Sequence, residues 1–335
     1  MMNPTRRALL SALPLAAPAL LAASAWAAFP ERVVTIVNGF AAGGSSDIAA
    51  RIASPRISTA LGQTVVVENR PGAGGALALA WIRRQAPDGH TVIIADPSSL
   101  VIAPLVQPDN VTYRPTQDFT PLSIWGTTPM VLVVAPDHPA QDVAGLVAWL
   151  RAQQGRAAYA SSGIGSTPQL ASELFLQRAQ AADGGDLAVT HVPYRSGGQM
   201  LEAVLKNECG FGFSVLSSAA GHLRGGTLRA LALSGPVRST SLPAIPTMAE
   251  SGFPDFDLIT WYMLLGPPGM SAEVQAAWSA AMATTLRDPA TVERLVQSGL
   301  DPAQPSPPAA AAAYLADETA RYGAIVAAAG ARLRS

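Results

Sequence analysis

The sequence predicts an α/β protein with two domains. Strand-like and helix-like segments alternate along most of the chain, which is typical of this fold class. Two loops rich in glycine and serine each follow a strand-like run and precede a helix-like run. The residue pattern of the first part of the chain also returns near the C-terminus. A chain of 335 residues is long enough for two domains with separate cores.

The first 27 residues are predicted to be a signal peptide. Arg6 and Arg7 precede an apolar region of Ala, Leu and Pro, and Ala25-Trp26-Ala27 fits the small-x-small cleavage rule. Cleavage would leave 335 − 27 = 308 residues and change the net charge from −1 to −3, because it removes two arginines and no acid. A membrane anchor is the alternative, but two prolines interrupt the short apolar run. We expect export, by the ordinary secretory or the twin-arginine route.

The charge and the reactive side chains exclude several function classes. A near-neutral chain without a basic tail is not expected to bind nucleic acid or an anionic membrane surface. Cys209 is the only cysteine, and we interpret it as a buried small residue rather than a nucleophile. The four histidines lack a metal-ligand spacing, so neither a metal nor a cofactor is expected.

The predicted strands are short β-branched or aromatic runs bounded by turn residues. In chain order they are 33–37, 65–67, 91–94, 131–134, 157–160, 187–189, 211–213, 228–233 and 261–265. The predicted helices lie between these runs and after the last one. In chain order they are 48–60, 76–85, 143–154, 169–179, 199–205, 271–286, 288–299 and 307–330. Ser271 is a predicted N-cap, and the alanine-rich start of the last helix favours helix formation.

The order of these elements predicts a discontinuous first domain. Linking passages are expected near residues 122–130 and 231–236. Domain 1 would then comprise residues 28–126 and 234–335, and domain 2 residues 127–233. Two crossings between domains permit hinge closure around a ligand.

The two glycine- and serine-rich loops carry the functional prediction. Gly43-Gly44-Ser45-Ser46-Asp47 follows the first strand, and the Ser-Ser-Gly-Ile-Gly-Ser-Thr segment at 161–167 follows the strand at 157–160. A helix N-terminus offers unpaired N–H groups and the positive end of a dipole, while Ser and Thr add hydroxyl donors. Two such ends facing each other predict an anion clamp that contains no charged side chain.

Several segments, in this order and spacing, resemble the tripartite tricarboxylate transporter substrate-binding proteins, also called Bug receptors. The matching segments are 29–32, 43–47, 66–75, 86–91, 191–195, 228–232 and 245–252. The resemblance implies a two-domain Venus-flytrap protein of the type II-like periplasmic class, with its ligand cleft between the domains. It also implies capture of a small organic acid or amino-acid-like ligand by a monomer, without bond breaking, and delivery to membrane permease subunits.

The candidate ligand-binding residues lie on the two loops and on neighbouring strand and helix ends. They are Phe40, Ala42, Gly43, Gly44, Ser45, Ser46, Asp47, Ser161, Ser162, Gly163, Gly165, Ser166, Thr167, Gln169, Tyr194 and Ser214. Asp47 has two possible roles: it could cap the first helix, which we favour, or accept a hydrogen bond from a ligand ammonium group.

Three positions depart from the family pattern. Ala41 and Ala42 replace a common Pro-Pro pair, so the entry loop should be less rigid. Gln169 stands where His is frequent, and Ser214 stands where Asp is frequent. If that Asp recognises a cationic group in relatives, this chain would prefer a ligand without one.

Two other functions remain open at this point. One is ligand presentation to a sensor kinase; the other is a secreted hydrolase that uses Ser162 or Ser166. The hydrolase needs a base within hydrogen-bond reach of its serine, and the sequence has no Gly-x-Ser-x-Gly elbow. The Arg-Pro-Gly-Ala-Gly-Gly segment at 70–75 lacks the Gly-Lys-Ser/Thr ending of a phosphate loop, and we predict a turn near the cleft rim.

Overall fold

The computed structural model describes residues 29–183, 187–330 and 333. The predicted signal peptide lies outside these residues. In the described part of the chain, the strands are β1 (Val34–Asn38), β2 (Val65–Asn69), β3 (Thr91–Ala95), β4 (Thr120–Val134), β5 (Ala158–Ser161), β6 (Thr190–Pro193), β7 (Phe211–Val215), β8 (Arg229–Leu233), β9 (Ile259–Gly266) and β10 (Asp301–Pro302).

The α-helices lie between and around these strands. They are α1 (Ser45–Leu61), α2 (Ala76–Ile82), α3 (Ala103–Val106), α4 (Val143–Gln153), α5 (Thr167–Asp183), α6 (Gly197–Leu205), α7 (Leu216–Arg224), α8 (Ala272–Leu286), α9 (Pro289–Gln297) and α10 (Pro308–Ala329). A 3-10 turn covers Ala73–Gly75, and a π-helical turn covers Ser98–Ile102 directly before α3. Within the described residues, no helix combines the length and the apolar character needed to cross a bilayer.

The strands form one long path in the order β2-β1-β3-β9-β4-β7-β5-β6, with β8 and β10 also paired to β4. At one end, β2, β1 and β3 are parallel; at the other end, β7, β5 and β6 are parallel. Parallel strands place their carboxyl ends at the same edge of a sheet, and ligands of α/β proteins bind at that edge. The topology therefore provides one candidate binding edge in each half of the molecule.

The strand β4 joins the two halves. Its residues 120–129 pair with β9, and its residues 130–134 pair with β7 and β8. We call the half that contains β1, β2, β3, β9 and β10 lobe 1, and the half that contains β5, β6, β7 and β8 lobe 2. The passage expected near residues 122–130 thus lies within one continuous strand. The domain limits at 126/127 and 233/234 remain a proposal.

Apolar side chains on both faces of the sheet form the hydrophobic core of each lobe. In lobe 1, Trp125 and Trp278 are fully buried among the side chains of β1, α1 and α8. Trp261 of β9 is also fully buried, and its indole N–H donates to Glu318 of α10 at 2.8 Å. In lobe 2, Cys209 is buried with Val131 and Leu201, and burial raises the pKa of its thiol, as expected for a packing residue.

Three of the differences from the sequence-based prediction concern the elements around the cleft. Helix α1 begins at Ser45 rather than at residue 48, because Gly44 adopts the extended conformation of an N-cap residue. The apolar run at 187–189 is not a strand; β6 begins at Thr190, where its register with β5 starts opposite Ala158. Helix α7 was not predicted, since its sequence Leu-Ser-Ser-Ala-Ala-Gly-His-Leu-Arg is short and serine-rich.

Candidate functional site

A small polar cavity lies where the two lobes meet. It measures about 30 Å³, which is room for about two water molecules. Six of the predicted ligand-binding residues line it, together with six residues that were not predicted. The predicted six are Phe40, Gly44, Ser45, Ser46, Ser162 and Ser214, and the others are Asp96, Ser98, Pro168, Gly197, Val215 and Ser218.

Four helix N-termini converge on this cavity. Gly44–Ser46 begins α1, Pro168 lies in the first turn of α5, Gly197 begins α6, and Val215 precedes α7. Each helix has at least nine residues and a positive dipole end at its first turn. The first residues of α1, α6 and α7 also have N–H groups without a partner inside the helix, whereas in α5 Thr167 and Gln169 donate to serine hydroxyls and Pro168 has no N–H. The cavity is therefore surrounded by hydrogen-bond donors and by a positive electrostatic potential, both of which favour an anion.

The first loop presents its amides to the cavity. The first hydrogen bond inside α1 runs from Ile48 N–H to Gly44 O at 3.0 Å, so the N–H groups of Ser45 and Ser46 precede the helical ladder. Ser46 Oγ donates to Asn38 Oδ1 at 2.8 Å, and Ser45 Oγ is hydrogen-bonded to the hydroxyl of Tyr262. These side-chain bonds fix the loop while leaving its first-turn amides directed outward from the helix.

Asp47 supports the loop from behind. Its carboxylate accepts hydrogen bonds from Gly43 N–H at 3.0 Å, Arg51 Nε at 3.0 Å and Asn69 Nδ2 at 2.9 Å. Burial alone would raise the pKa of this carboxyl, but the three donors outweigh burial and hold it below its usual range. Asp47 does not line the cavity, and its contacts correspond to the capping role favoured from the sequence.

The second loop is bound to its own chain. Gly163 N–H donates to Ser161 Oγ at 3.1 Å, Gly165 N–H donates to Gln169 Oε1 at 2.7 Å, and Ser166 N–H donates to Gly163 O at 3.2 Å. The clamp expected from the sequence had free amides on both loops. In this arrangement the amides of Gly163, Gly165 and Ser166 are engaged, because the loop turns sharply and closes on its own acceptors.

His191 organises the second loop, a role that was not predicted. Its Nε2 lies 2.6 Å from Ser161 Oγ, its Nδ1 lies 3.2 Å from Gln169 Nε2, and its ring stacks on Tyr159 at 4.9 Å. Gln169, expected near the ligand, thus connects His191 to the amide of Gly165. The segment that contains His191 matched the family pattern, and this was the available signal for its importance.

One hydrogen-bonded pair bridges the lobes directly. Ser98 Oγ of lobe 1 accepts the Thr167 N–H of lobe 2 at 2.9 Å and lies 2.8 Å from Thr167 Oγ1. Both residues are buried. Thr167 therefore holds the lobes together across the cleft, rather than lining the cavity as predicted.

A larger cavity of about 480 Å³ lies beside the small one and shares Phe40 and Ser162 with it. Its walls include the predicted residues Gly163 and Tyr194. The Pro-Gly-Ala-Gly-Gly segment at 71–75 also lines this space, in agreement with a turn at the cleft rim. Burial, together with Cys209 and Glu208, raises the pKa of Tyr194 to about 12, so its hydroxyl stays neutral.

The remaining predicted residues line neither cavity. They are Ala42, Gly43, Asp47, Ser161, Gly165, Ser166, Thr167 and Gln169. Ala42 and Gly43 are exposed at the entry of the first loop. The start of α6 lies close to them, since a Cβ added at Gly198 would be 3.8 Å from Gly43 O. The other residues of this group support the two loops through the contacts described above.

The expectation of a site without charged side chains is wrong at one position. Asp96 lines the small cavity and is 8 % exposed, and it is the only ionisable residue among the described residues that form this wall. It follows the last residue of β3, whose carboxyl end lies beside that of β1. The sequence alone could not show that these two strands are neighbours, although both were predicted as strands.

The hydroxyl chemistry does not resemble that of a hydrolase. Ser166 Oγ accepts the Gln169 N–H at 3.3 Å, so this hydroxyl caps the start of α5. The serine that contacts a histidine is Ser161, which is fully buried and also bonded to Gly163. Within the described residues, no hydrogen bond joins Ser162 or Ser166 to a titratable base, and no group of three His, Cys, Asp or Glu could hold a metal ion.

Comparison with known proteins identifies the family. The sequence model described as "Tripartite tricarboxylate transporter family receptor" matches residues 49–331. Protein BugT of Bordetella pertussis is 30% identical over 333 residues, which cover 99% of this chain and 100% of BugT.

Two solved structures with bound acids are also similar to this chain. MatC from Rhodopseudomonas palustris with bound malate is 28% identical, with a TM-score of 0.82 over 89% of this chain and 100% of MatC. The R. palustris protein Rpa4515 with adipate is 28% identical, with a TM-score of 0.82 over 90% of this chain and 98% of that protein. The fold is thus the two-lobed fold of periplasmic binding proteins, and the chain belongs to the tripartite tricarboxylate transporter receptor family.

Proposed function

We propose that this protein captures a small carboxylated metabolite between its two lobes and delivers it for tripartite tricarboxylate-type transport. The observation that carries the proposal is the convergence of four helix N-termini on one cavity at the junction of the lobes. The malate and adipate held by similar proteins support the same ligand class. Periplasmic location and a monomeric state are part of the proposal.

Uncharged donors are sufficient for useful affinity. A hydrogen bond to a charged group contributes roughly 1.5–3 kcal/mol net, so four or five of them could total about 8–10 kcal/mol. Micromolar binding requires about 8 kcal/mol, and the costs of association and ordering reduce the gross value. The first-turn amides of α1, α6 and α7, with the hydroxyls of Ser45, Ser162 and Ser218, supply this number of donors around the cavity.

The size of the cavity implies movement of the lobes. A space of about 30 Å³ is much smaller than a dicarboxylate. A ligand must therefore enter while the lobes are apart, through the larger space near residues 71–75, and the lobes then close on it. Because β4 passes from one lobe to the other, it would serve as one hinge strand. The backbone would change near Pro129 and Met130, where the pairing of β4 passes from β9 to β7.

The proposed partner is a pair of membrane permease subunits that recognises the closed, loaded form. Only the closed form brings the surfaces of lobe 1 and lobe 2 into a fixed relation, so it can signal that the ligand is present. A permease could then distinguish the loaded receptor from the empty one. Ser98 and Thr167 would contribute by holding the lobes in this closed form.

A ligand screen tests the proposal. The purified mature chain is mixed with a panel of dicarboxylates, hydroxy acids, amino acids and neutral sugars, and the melting temperature is measured. We expect one or more carboxylates to raise it, and calorimetry to give a micromolar or lower Kd. Stabilisation by sugars with none by carboxylates would contradict the proposal.

A further inference from the structure

The small cavity combines donors for an anion with one carboxyl group. Its other walls consist of serine hydroxyls, glycine backbone, proline, valine and phenylalanine, and Asp96 is the only ionisable side chain of the described residues that line it. Ser214 of lobe 2 lies in the same cavity and contributes a neutral hydroxyl. The negative group that the described residues supply to this cavity therefore comes from lobe 1.

Asp96 has hydrogen-bond donors around it but no cation. Its Oδ1 accepts the Ser99 N–H at 2.9 Å and the Ser99 hydroxyl at 2.7 Å, as a helix-capping carboxylate does. Among the residues that the structure describes, no Lys, Arg or His forms an ion pair with it. Burial raises the pKa of this carboxyl, although the serine donors oppose the change. An unpaired buried carboxylate is costly, and a cation or a further donor would stabilise it.

A plain dicarboxylate does not meet this need. Its carboxylates would satisfy the N-termini of α1 and α6, but a second negative group close to Asp96 would be repelled. A hydroxyl or an ammonium group next to a ligand carboxylate would instead donate to Asp96 while the carboxylate accepts from the helix amides. The cavity thus has acceptor and donor surfaces that match the two halves of a hydroxy acid or an amino acid.

We propose that Asp96 determines ligand specificity by accepting a hydrogen bond from a hydroxyl or ammonium group next to the ligand carboxylate. This inference rests on the proposed function of the same cleft. Hydroxy acids and amino acids both place a hydrogen-bond donor next to a carboxylate, but the two donors differ in charge. A charged ammonium group forms a stronger hydrogen bond to the carboxylate of Asp96 than a neutral hydroxyl does.

The inference is tested by calorimetry on matched acids. The three sets are succinate, malate and aspartate; glutarate, 2-hydroxyglutarate and glutamate; and adipate, 2-hydroxyadipate and 2-aminoadipate. In the wild-type protein, we expect at least one donor-bearing acid to bind about ten-fold or more tightly than the plain diacid of the same length. Asp96→Asn should reduce this ratio to roughly three-fold or less, with the largest loss for an ammonium ligand.

The matched control is Asp142→Asn. Asp142 caps α4 by accepting the Gly145 N–H at 2.7 Å and lies outside both cavities of the cleft, so this change should leave the ligand ratios unaltered. Asn can still accept at the cap, so both variants should fold. If Asp96→Asn does not fold, the wild-type ratios and the dependence of the binding enthalpy on the buffer decide the question.

The outcomes separate this inference from the proposed function. Plain diacids that bind as tightly as their donor-bearing analogues would overturn the role of Asp96 but keep the receptor for carboxylates. Proton uptake with a plain diacid, seen as a buffer-dependent enthalpy, would mean that a protonated Asp96 is the donor and would also overturn the inference. If none of the nine acids binds, this inference fails, whereas the proposed function fails only if no carboxylate of the wider ligand screen binds.

Discussion

The hydroxyl oxygens of Ser98 and Thr167 lie 2.8 Å apart and connect the two lobes beside the small cavity, which Ser98 lines. Ser98 Oγ also accepts the Thr167 N–H at 2.9 Å, so one oxygen takes part in two hydrogen bonds. The residues are 69 positions apart in the chain and both are buried. This pair is a direct latch between the lobes, because each hydrogen bond joins a residue of lobe 1 to a residue of lobe 2.

The first prediction is that loss of the latch weakens ligand binding. Ser98→Ala and Thr167→Val remove hydroxyls with little change in volume, and each hydrogen bond contributes about 1 kcal/mol. The closed form should become roughly five-fold less populated in Thr167→Val, which loses one of the two bonds, and up to about thirty-fold less in Ser98→Ala and in the double variant, which lose both. We expect calorimetry to show a similar fall in affinity for the carboxylate found in the screen.

The controls for the latch remove equivalent hydroxyls elsewhere. Thr284→Val removes an exposed bond to Ala280 O within α8, and Ser54→Ala removes a weak exposed bond to Arg51 O within α1. Both should bind like the wild-type protein. Unchanged affinity in the double variant would show that the Ser98–Thr167 contact contributes nothing to closure.

The second prediction concerns Gly165, which lies against the other lobe. A Cβ at this position would lie 3.7 Å from Ala103 Cα and 3.8 Å from Val106 Cβ, both in α3 of lobe 1. A phenylalanine ring would therefore enter the space between the lobes. We expect Gly165→Phe to raise the radius of gyration in small-angle scattering with ligand present and to weaken binding by ten-fold or more, about 1.4 kcal/mol.

Gly155→Phe is the matched control for backbone strain. Gly165 has φ +75° and Gly155 has φ +84°, so each substitution places a side chain in the left-handed region at a cost of about 1–2 kcal/mol. A Cβ at Gly155 meets only Ala188 within 4 Å, in lobe 2 itself. Equal loss of binding in the two variants would assign the effect to strain rather than to separation of the lobes.

The first cleft loop was predictable from the sequence, whereas its counterpart in lobe 2 was predictable only in part. A β-branched run followed by Gly-Gly-Ser-Ser predicts a strand, a tight turn and a helix start, and local chemistry determines all three. The second loop shows the same local pattern, but its amides are engaged by Ser161 and Gln169 under the control of His191. Hydrogen bonds of that kind depend on tertiary placement, which a loop sequence does not specify.

Asp96 and Gly197 also show that tertiary placement cannot be predicted from local sequence. Asp96 lies two residues after the predicted strand at 91–94, and Gly197 lies two residues before the predicted helix at 199–205, so each could have been named as a group near a strand or helix end. They join one cavity only because β3 lies beside β1 and because α6 lies across the cleft from the first loop. Strand order and lobe closure are long-range properties, so residue patterns could predict the fold class but not this grouping.

The third prediction is a pH-dependent contribution of Asp47 to stability. The pKa of its carboxyl is lowered in the folded protein, so its contribution is present above the unfolded pKa of about 3.9 and is lost as the pH falls through the folded pKa. Asp47→Asn should lower the free energy of unfolding by about 1–2 kcal/mol at pH 7, mainly through Gly43 N–H and Asn69. The half-exposed Arg51 should contribute little of this.

Urea denaturation at pH 7 and at pH 3 measures the effect. The difference between the wild-type protein and Asp47→Asn should shrink at the lower pH, because Asp47 is then protonated in the unfolded wild-type chain more readily than in the folded protein, which favours unfolding. Asp109→Asn, at an exposed position, controls for the change in net charge. A constant difference at the two pH values would mean that the carboxylate charge is not what stabilises the loop.

The fourth prediction separates the amide of Ser45 from its hydroxyl. Ser45 is the first residue of α1, where proline is well tolerated, and Gly44 has φ −77° and ψ 166°, a conformation that a following proline permits. Ser45→Ala removes only the hydroxyl and its bond to Tyr262, whereas Ser45→Pro removes the N–H as well. If the first-turn amide binds the ligand carboxylate, Ser45→Pro should bind about ten-fold more weakly than Ser45→Ala, since a hydrogen bond to a charged group contributes roughly 1.5–3 kcal/mol. Circular dichroism and thermal melting should show the same helix content and similar stability for both variants. Equal affinities of the two variants would remove this amide from the binding site and leave the carboxylate to the N-termini of α6 and α7.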